Sequence, residues 1–345
     1  MNAAFPALLA AALFGASTPL IKLLAASASP LGIAGLLYLC SGIGLGATRL
    51  LRDRGWKPSG LGNGDWAWFG GAILCGGVIG PVLLVWGLAS TSAGSASLLL
   101  NLEAVLTAAL AWLLFREHAG RRIVLGMGLI VAGGIVLAWP EGQHGSEAWL
   151  GPLAIAGACL CWAIDNNLTR KVAASDAVFI AGAKGLVAGS VNLGMALMLG
   201  KALPAAASGG AVLLVGWLAY GLSLALFVRA LRELGTSRTG AYFSVAPFFG
   251  AALSLALPGE ITPPGFWLAG ALMGLGVWLH LTEHHAHEHQ HAALEHTHAH
   301  AQDDHHRHAH DFAWDGAEPH DHAHRHDARQ HSHAHFPDIH HRHGH

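Results

Sequence analysis

The stretch SAGSASLLLNLEAVLTAALAWLLFRE (Ser92–Glu117) has a counterpart, GTSRTGAYFSVAPFFGAALSLALPGE (Gly235–Glu260), displaced by 143 residues. A second pair, FGASTPLIK (Phe14–Lys22) and WAIDNNLTR (Trp162–Arg170), is displaced by 148. All four stretches hold a few polar or ionisable side chains in an otherwise apolar setting. The chain therefore carries one apolar unit twice.

Composition says where such a unit sits. Of the 345 residues 53% are hydrophobic and only 12% are charged, with mean hydropathy +0.43. Soluble domains carry about 25% charged residues. A transmembrane helix needs roughly 20 mostly apolar residues. Ten such runs can be drawn, at 4–25, 31–51, 66–89, 92–115, 121–139, 148–169, 177–200, 210–232, 236–257 and 263–282. Each is apolar all round rather than on one stripe, and a large soluble helical protein would need charged faces that are absent here. The expected fold is an all-α polytopic membrane protein. It has ten transmembrane helices as two inverted five-helix repeats (1–140 and 147–282), followed by a disordered His-rich tail (283–345).

Lysine and arginine in short loops set the orientation. Arg49, Arg52, Arg54, Lys57, Arg116, Arg121, Arg122, Arg170, Lys171, Arg229, Arg232 and Arg238 fall on one side. The other side holds Lys201, with Lys22 near the end of the first run. Both termini are therefore expected in the cytoplasm, in a cell inner membrane. The first run lacks a basic lead and a small-residue cleavage site, so it reads as a retained helix. Cys40, Cys75, Cys159 and Cys161 all lie in apolar runs, which argues against a disulfide framework.

Five spans per unit is an odd number, so the second copy inserts upside down. Inverted repeats are characteristic of secondary transporters, whose sites lie near the bilayer midplane between the repeats. In these features the chain resembles the drug/metabolite transporter superfamily, specifically its EamA-type members. The resemblance rests on the two five-span repeats, the Phe14-Gly15 and Trp162-Ala163 starts, "NLE" at Asn101–Glu103, and Glu117 and Glu260 closing the fourth span of each repeat. It covers about residues 4–282 and implies an inner-membrane carrier that usually exports small metabolites without ATP hydrolysis. The tail more distantly resembles that of members linked to nickel and cobalt resistance. No Walker A pattern occurs, so an ATP-driven pump or an enzyme is unsupported.

Ionisable groups inside the bilayer cost on the order of 2.5–3.5 kcal/mol each on the insertion scale and face the bundle interior. Glu103 lies mid-span and is a candidate coupling carboxylate; the bland alternative is a protonated hydrogen-bond donor. Asn101, two residues away, falls on another face. Asp165, Asn166 and Asn167 sweep most of a helical turn, and their repeat partners are Ser17, Thr18 and Pro19. Proline frees a carbonyl, so loosened helices at these matching positions are expected to mark the substrate site. Asp165 alternatively pairs with Arg170 or Lys171, and Cys161, one turn away, shares its face. Lys184 is mid-bilayer and can pair with Asp165 or Glu103, or bind an anionic substrate. Glu117 and Glu260 read as structural. The pairs Gly42/Gly46, Gly76/Gly80, Gly185/Gly189 and Gly270/Gly274 have the spacing of close helix packing.

The tail holds 23 of the 26 histidines and a net charge of −7 with histidine neutral. They alternate as His-x-His: His285, His287, His289, His291; His296, His298, His300; His306, His308, His310; His320, His322, His324, His326; His331, His333, His335; and His341, His343, His345. Such tracts read as metal-binding, and the absence of Cys and Met there points away from Cu(I) toward nickel, cobalt or zinc. A pH-sensing polyelectrolyte or a neutral spacer are the plainer readings.

Together these suggest export of a divalent metal captured on the tail. Moving two charges out of an inside-negative cell costs about 4.6 kcal/mol per 100 mV. Exchange for two protons on Glu103 and Asp165 would cancel that. Two rivals are an exporter of a small metabolite or amino acid whose tail is a metal-responsive regulator, and a membrane-tethered metal store. The expected partners are the lipid bilayer, a small solute or metal ion, and protons, with no nucleic acid and no tightly bound cofactor.

Overall fold

A computed structural model describes residues 4–25, 28–115, 121–139, 149–172, 175–227, 229–230, 239, 242–257, 259, 262–282 and, as backbone alone, 285–291, 294–300, 320–326 and 329–335. Residues 1–282 form one unit and 283–345 another. Helices of the first unit begin and end where local chemistry dictates. Helix α1 spans Ala4–Ala25 and runs through Pro19 without interruption. Helix α2 (Pro30–Asp53) starts at Ser29, whose Oγ accepts from the Gly32 N–H at 3.1 Å, with Pro30 at the first helical position. It stops at Arg54, which takes the left-handed conformation at φ 55°.

Helix α3 (Asp65–Leu88) contains a π-turn at Ile73–Ile79. Helices α4 (Ala93–Leu99) and α5 (Leu102–Phe115) are one rod broken at Leu100-Asn101. Then follow α6 (Arg121–Ala138), α7 (Leu150–Thr169), α8 (Ala177–Met198), α9 (Ser208–Phe227), α10 (Ala246–Ser254) and α11 (Phe266–Leu281). Asp176 starts α8 by accepting from the backbone N–H of Val178 at 2.8 Å and of Phe179 at 3.2 Å. Among the described residues seven helices are long and apolar enough to cross a membrane, and α11 is a shorter apolar one. Of the ten expected runs, α7 occupies the sixth and α10 the middle of the ninth.

The repeat is visible in the packing. Helices α2 and α8 cross antiparallel: Gly42 lies against Leu186, and Gly189 against Leu39. A shift of 147 residues exchanges these two contacts, as a two-fold axis through the crossing requires. Helices α6 and α11 do the same with a shift of 143, Gly126 meeting Gly276 and Gly133 meeting Ala269. A Cβ added at Gly42 or Gly189 would stand 2.3 Å from the opposite backbone, so glycine permits the crossing. The other expected glycine contacts differ. Gly46 faces open space, Gly270 and Gly274 make ordinary contacts, and Gly76 and Gly80 abut polar side chains of α7.

One sequence expectation needs correction. Loosened helices were expected at Ser17–Pro19 and Asp165–Asn167, yet α1 and α7 are continuous there. Besides the α4–α5 break, irregular backbone lies in α3 and α9. The π-turn of α9, Gly216–Leu222, stands 143 residues from that of α3. In α3 the Gly80 N–H reaches back to the Cys75 carbonyl, and Pro81 offers no N–H. The Gly76 carbonyl thereby loses both backbone donors it would meet in an α- or π-helix. The tail is described by its backbone alone. Its described backbone forms antiparallel pairs, β1 (His285–His291) with β4 (Arg329–His335) and β2 (Leu294–His300) with β3 (His320–His326). Strict alternation suits the period of a strand as well as it suits disorder. Its side chains lie outside the described residues.

Candidate functional site

The Gly76 carbonyl left without a backbone donor is where the site begins. It accepts from Tyr38 Oη at 2.9 Å and from Trp162 Nε1 at 3.0 Å, which ties α2 and α7 to the π-turn. Pro81 also deprives the Gly77 carbonyl, which accepts from Asn192 Nδ2 of α8 at 3.1 Å. Because neither glycine has a side chain, α7 and α8 come close. A Cβ on Gly76 would stand 1.8 Å from Asp165 Oδ2, and one on Gly77 would stand 2.5 Å from Ala188.

Into this gap project Asp165 and Lys184. Lys184 Nζ donates to Asp165 Oδ1 at 2.6 Å and Oδ2 at 2.7 Å, and Thr169 Oγ1 donates to Oδ1 at 2.9 Å. The carboxylate is buried and the lysine side chain is 17% exposed. Asp165 thus pairs with Lys184. The expectation that Asp165 and Glu103 together alternate between two protons and one metal made no allowance for Lys184 as the partner of Asp165. Lys184 already neutralises Asp165, and a divalent cation there would be repelled at close range. Among the described residues no group of three or more His, Cys, Asp and Glu is placed to hold a metal ion.

Glu103 stands nearby on α5. Its Oε1 accepts from Asn166 Nδ2 at 2.9 Å, and Asn166 also donates to Thr107 Oγ1 at 3.4 Å. Asn166 is exposed although Cys159, Trp162 and Ala163 on the same side of α7 are buried, whereas the outer side carries exposed Leu153 and Leu160. Glu103 and Asn166 therefore border an interior opening. Asn167 is buried and serves the backbone, donating to Ala163 O at 2.8 Å and Thr107 O at 3.2 Å. Asn101 does the same at the break between α4 and α5, its Nδ2 donating to Leu98 O at 2.9 Å. Thr18 is buried in α1. Glu117 and Glu260 lie outside the described residues.

Sequence reasoning missed Tyr38, Trp162 and the residues opposite them. At the second π-turn Tyr220 lies beside Ser17. Its ring lies 5.4 Å from Tyr38 and 5.7 Å from Phe14, and Phe14 lies 5.4 Å from Phe243. These four rings are only partly buried although they sit between helices. The run GGVIGP (Gly76–Pro81) was the available signal: glycines with a closing proline inside an apolar run.

Sequence comparison matches residues 1–139 and again 149–282 to the model of the EamA-like transporter family. The chain belongs to that family. A relative described as an uncharacterized transporter, from Methanothermobacter thermautotrophicus, is 30% identical over 288 residues, covering 77% of this chain and 82% of the relative. One solved crystal structure is similar with TM-score 0.59 over 81% of this chain and 95% of that one. At 18% identity that similarity shows a shared fold. This EamA-like chain is thus a multi-pass membrane transporter.

Proposed function

We propose that this EamA-like protein is a ten-helix, secondary-active exporter of a small organic solute bearing a carboxylate, such as an amino acid, in an inner membrane with both termini cytoplasmic. The observation that carries the reading is the Lys184–Asp165 pair at the α3 π-turn. An ammonium held by one carboxylate in a partly open site can exchange that partner for the carboxylate of a solute. The Asp165 oxygens so released then meet the ammonium of an amino acid. Glu103, hydrogen-bonded to a neutral amide, is the group that takes the coupling proton.

The experiment is solute counterflow in proteoliposomes across a panel of amino acids, simple carboxylates, amines and nickel, with and without an imposed pH gradient. Carboxylate-bearing solutes are expected to move and to be lost in Lys184→Ala. Glu103→Gln should leave counterflow intact while abolishing its response to the gradient. Nickel transport that survives Lys184→Ala would overturn this reading in favour of metal export.

The tail supports one addition. Its 23 histidines suit capture of nickel, cobalt or zinc, here as a regulator of the core rather than as a source of cargo. Deleting 283–345 should then change the metal sensitivity of solute export without abolishing it. If metal tolerance is lost with the tail but survives mutations that lock the core, the tail is a store.

A further inference from the structure

Arg49 is 5% exposed, yet it stands at the end of α2 that leads into the α2–α3 connection. Its Nη2 donates to the carbonyls of Lys57 at 2.9 Å and Pro58 at 3.0 Å, and its Nε donates to Asp176 Oδ2 at 3.5 Å. The guanidinium lies between two rings, 5.7 Å from the centre of Trp56 and 5.0 Å from that of Phe179. One cation therefore holds residues 56–58 down onto the start of α8. Arg52 adds a hydrogen bond to Asp176.

The connection then turns at Gly60, whose φ of 78° suits glycine, and sends Leu61 into a small apolar cluster. That cluster holds Phe69 and Ile73 of α3, Val172 just past α7, and Phe179, Ile180 and Ala183 of α8. Each of these helices reaches the ion pair within about two turns, at Gly76, Asp165 and Lys184 respectively. The cluster and the connection thus cap the end of the α3–α7–α8 wedge in which the pair lies.

We propose that residues 54–64 form a strap that closes the Asp165–Lys184 site at this end, with Arg49 as its latch and Leu61 as its plug. The repeat gives an independent argument. Under the shift of 147 that relates α2 to α8, Arg49 corresponds to Ala196 and Asp176 to Ser29. At that opposite end Ser29 contributes a helix cap and a backbone hydrogen bond to Ala202 O at 2.9 Å, with no cation in Arg49's place. The fold closes one α2–α8 end without an arginine latch, so the latch is an addition at the other. Carbonyls, a carboxylate and two rings hold it, all on surface elements that can separate without breaking a helix.

The strap deepens the transporter reading, but its test reads access rather than transport. Cys75, inside the α3 π-turn beside Gly76, is the reporter, with Cys40→Ala, Cys159→Ala and Cys161→Ala in the background. The full chain in inside-out vesicles is treated with a membrane-impermeant maleimide, and Lys57→Cys in a separate sample reports the sidedness. In Arg49→Ala, Cys75 modification should quicken on the order of tenfold or more, since charged hydrogen bonds to buried partners are lost. Leu61→Ala should quicken it without touching any charge, and Arg121→Ala, an exposed cation outside the strap, should leave it at the parent rate. Parent-like modification in both Arg49→Ala and Leu61→Ala, each monodisperse with an ordinary melt, overturns the strap. If Arg49→Ala fails to fold, Leu61→Ala alone decides. Faster labelling with no carboxylate transport by the parent keeps the strap and sinks the solute assignment.

Discussion

The two π-turns occupy equivalent places in the repeats but border opposite kinds of surface. The turn of α3 presents Gly76 and Gly77 and meets Asp165 and Lys184. The turn of α9 presents Ala219 and Tyr220 at the corresponding positions and meets Ser17 and Phe14. Each member of the charged pole has a neutral counterpart: Ser17 for Asp165, Leu37 for Lys184, and Ala246 for Glu103. Duplication supplied two equal frames, and substitution made one polar and left the other aromatic. The frame does not need the charges, because the second copy folds without them.

The largest effect should come from breaking the charged pole. Lys184→Ala leaves a buried carboxylate unpaired, which costs about 3–5 kcal/mol of stability. Transport should fall on the order of 100-fold or more. In Asp165→Ala/Lys184→Ala the thermal melt should recover most of that loss while counterflow stays absent. Recovery of both would mean that the pair is only structural. Next comes the glycine that admits Asp165. Gly76→Ala puts a methyl 1.8 Å from Asp165 Oδ2 and should cost about 1–3 kcal/mol by overpacking. The mirror change, Ala219→Gly, should cost about 1 kcal/mol or less. Equal losses in the two melts would erase the contrast between the turns.

A smaller effect compares the ends of the α2–α8 crossing. Burial opposes ionisation of Asp176, yet hydrogen bonds from Arg52 and from the backbone of Phe179 and Val178 hold its carboxyl below the ordinary range. A depressed carboxylate contributes stability that is present above its unfolded value, about 3.9, and is lost as pH falls through the folded value. Melting temperature should therefore fall on acidification below about pH 4, and less so in Asp176→Asn. Ser29→Ala, at the other end, should cost about 1 kcal/mol with no such pH dependence. The smallest effect is at the aromatic pole. Tyr220→Phe removes the hydroxyl beside Ser17 and should cost about 1 kcal/mol or less with a few-fold change in counterflow. A complete loss there would move the centre of recognition from the ion pair to the rings.

Much of this architecture could be read without coordinates. The apolar runs and the duplication follow from run length, composition and self-similarity, all local properties of the chain. So does the short roster of ionisable groups inside the bilayer, since their cost makes them few. Glu103, Asp165 and Lys184 were on that roster, but their roles were not. Asn101 and Asn167 were candidate site residues too, and the structure shows each donating to a backbone carbonyl at short range. Breaks were looked for at a proline and at a polar triplet, and the irregular turns lie instead at glycines in other helices.

What the sequence alone determined is therefore the kind of protein and the inventory of expensive side chains. Only the tertiary structure decided the pairing. Asp165 and Lys184 stand on different helices, and Arg49 and Asp176 are 127 residues apart. Partner choice depends on where two rods cross, and that crossing is set by which glycines face each other and by carbonyls that a proline four or five residues later leaves without a donor. Neither is encoded in the residue that ends up paired.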